Sequence, residues 1–93
     1  MNIDNHNYFQ TNDWKMQKVD KAVTKKYEFK NFLNAFTWMT EIAFRAEELD
    51  HHPEWKNVYN RVEVLLTTHD IGKISSKDLI LAKFMDDAFK KHN

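Results

Sequence analysis

The chain has 93 residues, with 14 Lys/Arg balanced by 14 Asp/Glu, five histidines, one glycine, one proline and no cysteine. A chain of this size is one domain that buries roughly 60 to 65% of its unfolded surface, and seven Phe, three Trp and three Tyr supply its core. Zero net charge without a repeating Lys/Arg face excludes the footprint of a nucleic-acid binder, and no stretch approaches the ~20 apolar residues of a membrane span.

The absence of cysteine excludes disulfides and thiolate chemistry and fits a cytoplasmic enzyme. A small neutral partner suits the charge balance, and self-association would support so small a core. The opening "MNIDNHNYFQTND" has neither a basic leader nor an apolar run. Residues 1–12 are expected to form a flexible arm and residues 13–93 the domain.

From Trp14 to Phe29 the pattern is strand-like. "AVTKKYEF" puts Val23, Tyr27 and Phe29 on one face and Thr24, Lys26 and Glu28 on the other, with Trp14, Met16 and Val19 in an earlier, weaker strand. Lys30 to Asp50 then runs without Gly or Pro at a helical period. At 100° per residue, Phe32, Ala35, Phe36, Trp38, Met39, Ile42, Ala43, Ala46 and Leu49 fall on one wide stripe that is expected to cover a sheet. Leu33 and Phe44 lie outside the stripe and close to each other in angle, either as ordinary surface apolars or as a helix–helix subunit contact. Glu47 sits at the stripe's edge beside Phe36 and Ala43, either solvated or looking into a cleft.

The helix is expected to stop at His51 or His52, because Pro53 disfavours helical geometry at His52 and cannot continue the ladder. An extended His52 can then swing its ring toward a site shared with His51. "WKNVYNRVEVLLTTH" reads as strand, with Asn60 turning or bulging between a segment ending at Tyr59 and one starting at Arg61. Strict alternation directs Val58, Val62, Val64 and Leu66 to the core and gives the other face to Tyr59, Arg61, Glu63, Leu65, Thr67 and His69. His69 thus falls at the mouth of a strand, near the "DIGKIS" loop. The last helix opens with Ser75 as N-cap and Asp78 three residues on, a capping-box spacing. Its stripe is Leu81, Ala82, Met85, Ala88 and Phe89. Asp78 lies on that side and points inward, where it can also serve simply to complement the helix N-terminus.

Three readings of the histidines stand side by side. His51 and His52 can be a helix C-terminus that welcomes positive charge. His51, His52 and His69 can be zinc ligands with an open position, although adjacent histidines lack the four-residue spacing of helical zinc pairs. Or the imidazoles can perform general acid/base work, for which a pKa near ~6.5 suits them without large shifts.

The constellation resembles the pterin-4a-carbinolamine dehydratase family. Glu47, three residues, His51-His52-Pro53, five residues, Tyr59, nine residues, His69, eight residues and Asp78 reproduce its signature, seven positions over 32 residues. The surrounding "DHHPEWKNVYNRV" and "DLILAKF" are also typical, and the likeness extends from Trp14 to about Phe89. Only the short polar arm departs from it.

The resemblance implies an α+β domain, a four-stranded antiparallel sheet with helices packed on one face. It implies homodimers or homotetramers in which the long helices meet, which would explain Leu33 and Phe44. The implied reaction is dehydration of 4a-hydroxytetrahydropterin to quinonoid dihydropterin, recycling the cofactor of aromatic amino acid hydroxylases, with pterin as substrate and no cofactor or metal required. Carried over residue by residue, His51 and His69 are the acids, one for each face of the 4a centre. His52 mainly holds the pterin, Glu47 is a candidate base, and Asp78 orients a histidine or the pterin edge. Pro53 fixes the chain geometry and Tyr59 packs beneath the site. Two rivals remain. Some animal members of the family double as a dimerisation cofactor of a homeodomain transcription factor, a protein-binding role, and a metal-dependent hydrolase could be built on the three histidines.

Overall fold

The period-two segments form a four-stranded antiparallel sheet with strand order β1-β2-β4-β3. Its strands are β1 (Lys15–Gln17), β2 (Ala22–Glu28), β3 (Glu54–Val58) and β4 (Arg61–Leu66). The computed structural model describes residues 3–93, with side chains from residue 7 onward. Among the described residues three helices longer than two turns accompany the sheet: α1 (Ile3–Thr11), α2 (Phe32–Leu49) and α3 (Ser76–His92).

Register decides which side chains form the core. Val23 lies opposite Leu66, Lys25 opposite Val64 and Tyr27 opposite Val62, and this row faces the helices. Trp38, Ile42, Ala35 and Ala46 of α2 and Leu81, Ala82, Met85 and Ala88 of α3 close over it, all buried. Each large apolar side chain sealed this way contributes on the order of 1.5–3 kcal/mol. The buried indole N–H of Trp38 donates to the Met85 carbonyl at 3.0 Å, so the largest core residue leaves no polar atom unpaired. The opposite face of the sheet carries Thr24, Lys26, Glu63, Lys56 and Glu54. The helices therefore occupy one face only, and the α+β architecture is as expected.

Four local expectations are corrected. Met1 and Asn2, at the head of the expected arm, lie outside the described residues, but from Ile3 the chain is helical. Phe9 is buried among Trp14 and its neighbours, which anchors α1 to the domain. Val19 is not in a strand: it projects into solvent from the connection Lys18–Lys21, where Val19 (φ −31, ψ 111) and Asp20 (φ 61, ψ 11) leave helical geometry. Val58 faces solvent at 43% exposure. The hairpin closes on two residues, Tyr59 and Asn60, so Val58 pairs with Arg61 and shares its outward face. Counting by twos through a turn assigns the wrong side.

The fourth correction concerns the end of α2. It closes at Leu49, two residues before the expected histidines, because Asp50 takes the left-handed conformation (φ 51, ψ 45), which Asp tolerates better than most residues. The Asp50 N–H donates to the Glu47 carbonyl and the His51 N–H to the Ala46 carbonyl, a Schellman closure. Pro53 is not needed for the stop. What the closure achieves is to turn His51 back against the helix bundle.

A second tie joins the helices at the far end, where Glu41 of α2 accepts hydrogen bonds from Lys91 and pairs with His92. These bonds, Lys91 first, hold the Glu41 carboxyl below its ordinary pKa. The tie is therefore intact at neutral pH and is lost as pH falls through that lowered value.

Candidate active site

His51 follows the left-handed Asp50 and is buried, with 9% of its surface exposed. Its Nε2 lies 2.6 Å from Oδ1 of Asp78, which α3 delivers from 27 residues away, fully buried. The second oxygen of Asp78 accepts from the Thr68 hydroxyl at 2.7 Å and from the Ser75 N–H at 2.8 Å. Since Thr68 spends its single proton on Asp78, the Ser75 hydroxyl, 2.6 Å away, donates to Thr68. Both carboxylate oxygens are thus satisfied, as a buried carboxylate requires. The expected capping box forms, and the same carboxylate that caps α3 also fixes the ring of His51.

His52 turns the other way. It is exposed, and its Nε2 lies 2.5 Å from Oε2 of Glu47, one turn back on α2. Pro53, half-buried, carries the chain from this pair straight into β3. His69 is not on a strand: β4 ends at Leu66, and His69 opens a short 3-10 turn, His69–Ile71, held by Gly72 in left-handed geometry. The Thr68 N–H donates to the Lys73 carbonyl at 3.0 Å and Gly72 returns hydrogen bonds to Thr68 and His69, so the backbone at His69 is pinned while its ring is exposed. The imidazole Nε2 stands 3.7 Å from Oε2 of Glu54, the first residue of β3.

The structure therefore links His51, Asp78 and Thr68 through contacts, with His52 adjoining His51 and His69 adjoining Thr68 in the chain, and it adds Glu47 through His52. It does not bring Tyr59 to them. Tyr59 occupies the hairpin turn with φ 51 and is exposed. It lies at the opposite end of β3 from Glu54, roughly 16 Å along the strand. Its expected place beneath the site is not where this chain puts it. Three residues of the cluster carry no signal for it in the sequence. Ser75 reads only as a cap, and Thr68 is one of two adjacent threonines with no periodic signal. Glu54 is one acidic residue among 14.

Among the described residues no group of three His, Asp or Glu side chains is arranged to hold a metal ion. Each site histidine instead faces a carboxylate of its own. A depression of about 520 Å³ lies on the open face of the sheet, lined by Lys15, Thr24, Lys26, Lys56 and Glu63, and Glu54 is its one residue in common with the histidine cluster. Imidazoles set beside carboxylates, two of them within hydrogen-bond distance, are suited to donating and accepting protons on a small molecule.

Comparison with known proteins bears on the same residues. The family model described as Pterin 4 alpha carbinolamine dehydratase matches residues 3–88. A protein of Bordetella avium (strain 197N), named as a candidate pterin-4-alpha-carbinolamine dehydratase, is 49% identical over 75 residues, covering 81% of this chain and 69% of its own length. One of Jannaschia sp. (strain CCS1), named likewise, is 52% identical over 73 residues, covering 78% and 74%. The crystal structure of a transcriptional coactivator/pterin dehydratase from Brucella melitensis superposes with a TM-score of 0.85 at 36% identity, covering 95% of this chain and 96% of that one. A pterin dehydratase-like protein identified as a RuBisCO assembly factor in the alpha-carboxysome shares the fold alone, at a TM-score of 0.70 and 17% identity over 82% and 88% of the two chains.

Proposed function

Because the chain belongs to the pterin 4 alpha carbinolamine dehydratase family, we propose that it eliminates water from 4a-hydroxytetrahydropterin, a hydro-lyase reaction giving quinonoid dihydropterin. The observation that carries this reading is the buried pair of His51 and Asp78 at 2.6 Å, set beside the exposed His52 and His69. Hydroxide leaves C4a poorly, so the departing oxygen must be protonated as the C–O bond breaks, while a base removes a proton from the ring nitrogen. One proton is delivered and one is taken, and the net loss is water.

In this scheme His51 and His69 are the acids, serving opposite faces of the 4a centre. With Nε2 of His51 committed to Asp78, its proton for the leaving oxygen comes from Nδ1. His52 holds the pterin, and Glu47, paired with it at 2.5 Å, receives the proton from the ring nitrogen. Asp78 orients His51, and Pro53 sets the exit of the chain from the two rings. The assay that tests the proposal is dehydration of freshly generated 4a-hydroxytetrahydropterin, with no acceleration over buffer as the refuting result. Activation by imidazolium instead of a Lewis acid also sets a second expectation: turnover survives exhaustive chelation. Loss of activity on chelation, restored by zinc, would sink the acid/base scheme in favour of a metal-dependent one.

A protein-association role is supported by one further feature. Leu33 and Phe44 are exposed on the same side of α2, Phe44 at 72%, with Phe36 half-exposed beside them. Contiguous apolar side chains of this size on one helix mark a contact surface more than they mark ordinary surface. The occupant we assign is a second copy of this chain, giving a homodimer or homotetramer. Phe44→Glu is then expected to lower the mass measured by light scattering, because symmetry repeats the buried charge on both sides of the contact. An unchanged mass would return both residues to plain surface. No helix among the described residues is long and apolar enough to cross a membrane.

A further inference from the structure

Every site histidine has a carboxylate at its Nε2, but the three pairs are built differently. Asp78 holds His51 from inside the core, and Glu47 holds His52 from one helical turn away. His69 has neither a buried partner nor a neighbour on its own element. Its ring stands 74% exposed, and the side chain approaching it is Glu54, at 3.7 Å. Nothing in the established signature assigns Glu54 a part.

Resting on the dehydratase reading, we propose that Glu54 is the positioning residue of His69, the counterpart of Asp78 for His51. Glu54 is well placed to act this way for two reasons. Its backbone is rigid, since Pro53 fixes the residue before it and the β3–β4 register pairs Glu54 with Leu65, just ahead of the turn that carries His69. The backbone of His69 is equally rigid, closed by the Thr68 and Lys73 bridge and the Gly72 turn. Two fixed backbones leave only side-chain rotation open, and a carboxylate at Nε2 selects the rotation that turns the rest of the ring toward a substrate. The other charged residues of that loop are Asp70 and Lys73, while β3 contributes Glu54 alone at this end.

The exposure of the pair predicts its behaviour. At 3.7 Å it is an ion-pair contact and not a hydrogen bond, and solvent-exposed pairs are weak and screened by salt. The Asp78 pair, sealed in the core, has no such salt dependence. Glu54 therefore tunes one acid of the two, and its contribution disappears when His69 is absent.

The test is a cycle of four proteins, wild type, Glu54→Gln, His69→Ala and the double variant, assayed for dehydration of 4a-hydroxytetrahydropterin at low and high salt. Glu54→Gln is expected to lower kcat about two- to fivefold at low salt, with KM unchanged, and to lose less at high salt. In the His69→Ala background, where His51 still serves one face, the same substitution is expected to change nothing. An active wild type matched by Glu54→Gln, or an equal loss with and without His69, overturns the positioning role alone. A wild type that does not dehydrate the substrate overturns the functional reading and this inference with it.

Discussion

Replacing both His51 and His69 by alanine is expected to lower turnover at least about 100-fold, while either single substitution loses much less on an epimeric substrate mixture. The reasoning is geometric. The two rings reach the site from different elements, His51 from the closure of α2 and His69 from the turn after β4. Each has its own carboxylate. If each protonates the hydroxyl on one face of C4a, one epimer survives the loss of one acid, and nothing survives the loss of both. His51→Ala should leave the affinity for a reduced pterin analogue largely intact, because an acid on the leaving oxygen acts mainly in the transition state. His52→Ala should instead weaken that affinity. Stopped-flow dehydration kinetics with circular dichroism as the control for folding will decide. Normal turnover in a folded double variant would falsify the mechanism.

Asp86→Ala is expected to be the most destabilising substitution outside the site, by about 3–5 kcal/mol. Asp86 is buried in α3, and its Oδ1 accepts from the Lys25 ammonium at 2.8 Å and the Tyr27 hydroxyl at 2.5 Å. Its Oδ2 accepts from the Tyr8 hydroxyl at 2.7 Å and the Trp14 indole N–H at 3.0 Å. One carboxylate thereby ties together α1, β2, α3 and the residue that precedes β1. Burial, and then Asp86 itself, raise the Tyr27 phenol well above its ordinary pKa, so it stays a donor at every working pH. Removing the carboxylate takes the acceptor from the buried Tyr27 hydroxyl and Trp14 indole N–H and from the part-buried Tyr8 hydroxyl, and leaves the Lys25 ammonium with the Asn12 carbonyl in place of its counter-charge. A loss of that size is a large share of the total of 5–15 kcal/mol typical of a domain. Urea titration monitored by tryptophan fluorescence measures it, and a midpoint shift worth under about 1 kcal/mol would show that water replaces the carboxylate readily. Because none of these groups touches the histidines, protein still folded should keep its kcat.

Sequence and structure agree most closely where the information is local. The long helix was legible because a period of 3.6 is written within eighteen consecutive residues, and Trp38, Ile42 and Ala46 are buried as their angles require. The capping box at Ser75 was legible for the same reason, since its two partners stand three residues apart. The wider stripe was only partly right. Phe32 and Phe36 are exposed, because a helix packed against a sheet and one neighbouring helix buries a narrower arc than its apolar residues span.

What the sequence by itself determined is therefore the order of the main strands and helices after Trp14, the core-facing residues of β2, β4 and α3 and the centre of the α2 stripe, and the family signature from Glu47 to Asp78, all of which are patterns of spacing along the chain. Only the tertiary structure decided which carboxylate serves which histidine. Asp78 reaches His51 across 27 residues and Asp86 reaches Lys25 across 61, and those meetings depend on how α3 lies against the sheet. The hairpin turn decided that Val58 looks outward and that Tyr59 sits far from the rings. The left-handed Asp50, rather than Pro53, decided that His51 turns inward while His52 stays in solvent. The physical reason is common to all of these: periodicity depends on the few residues of one turn or pleat, whereas a side chain's partner depends on register and packing between elements that no local pattern encodes.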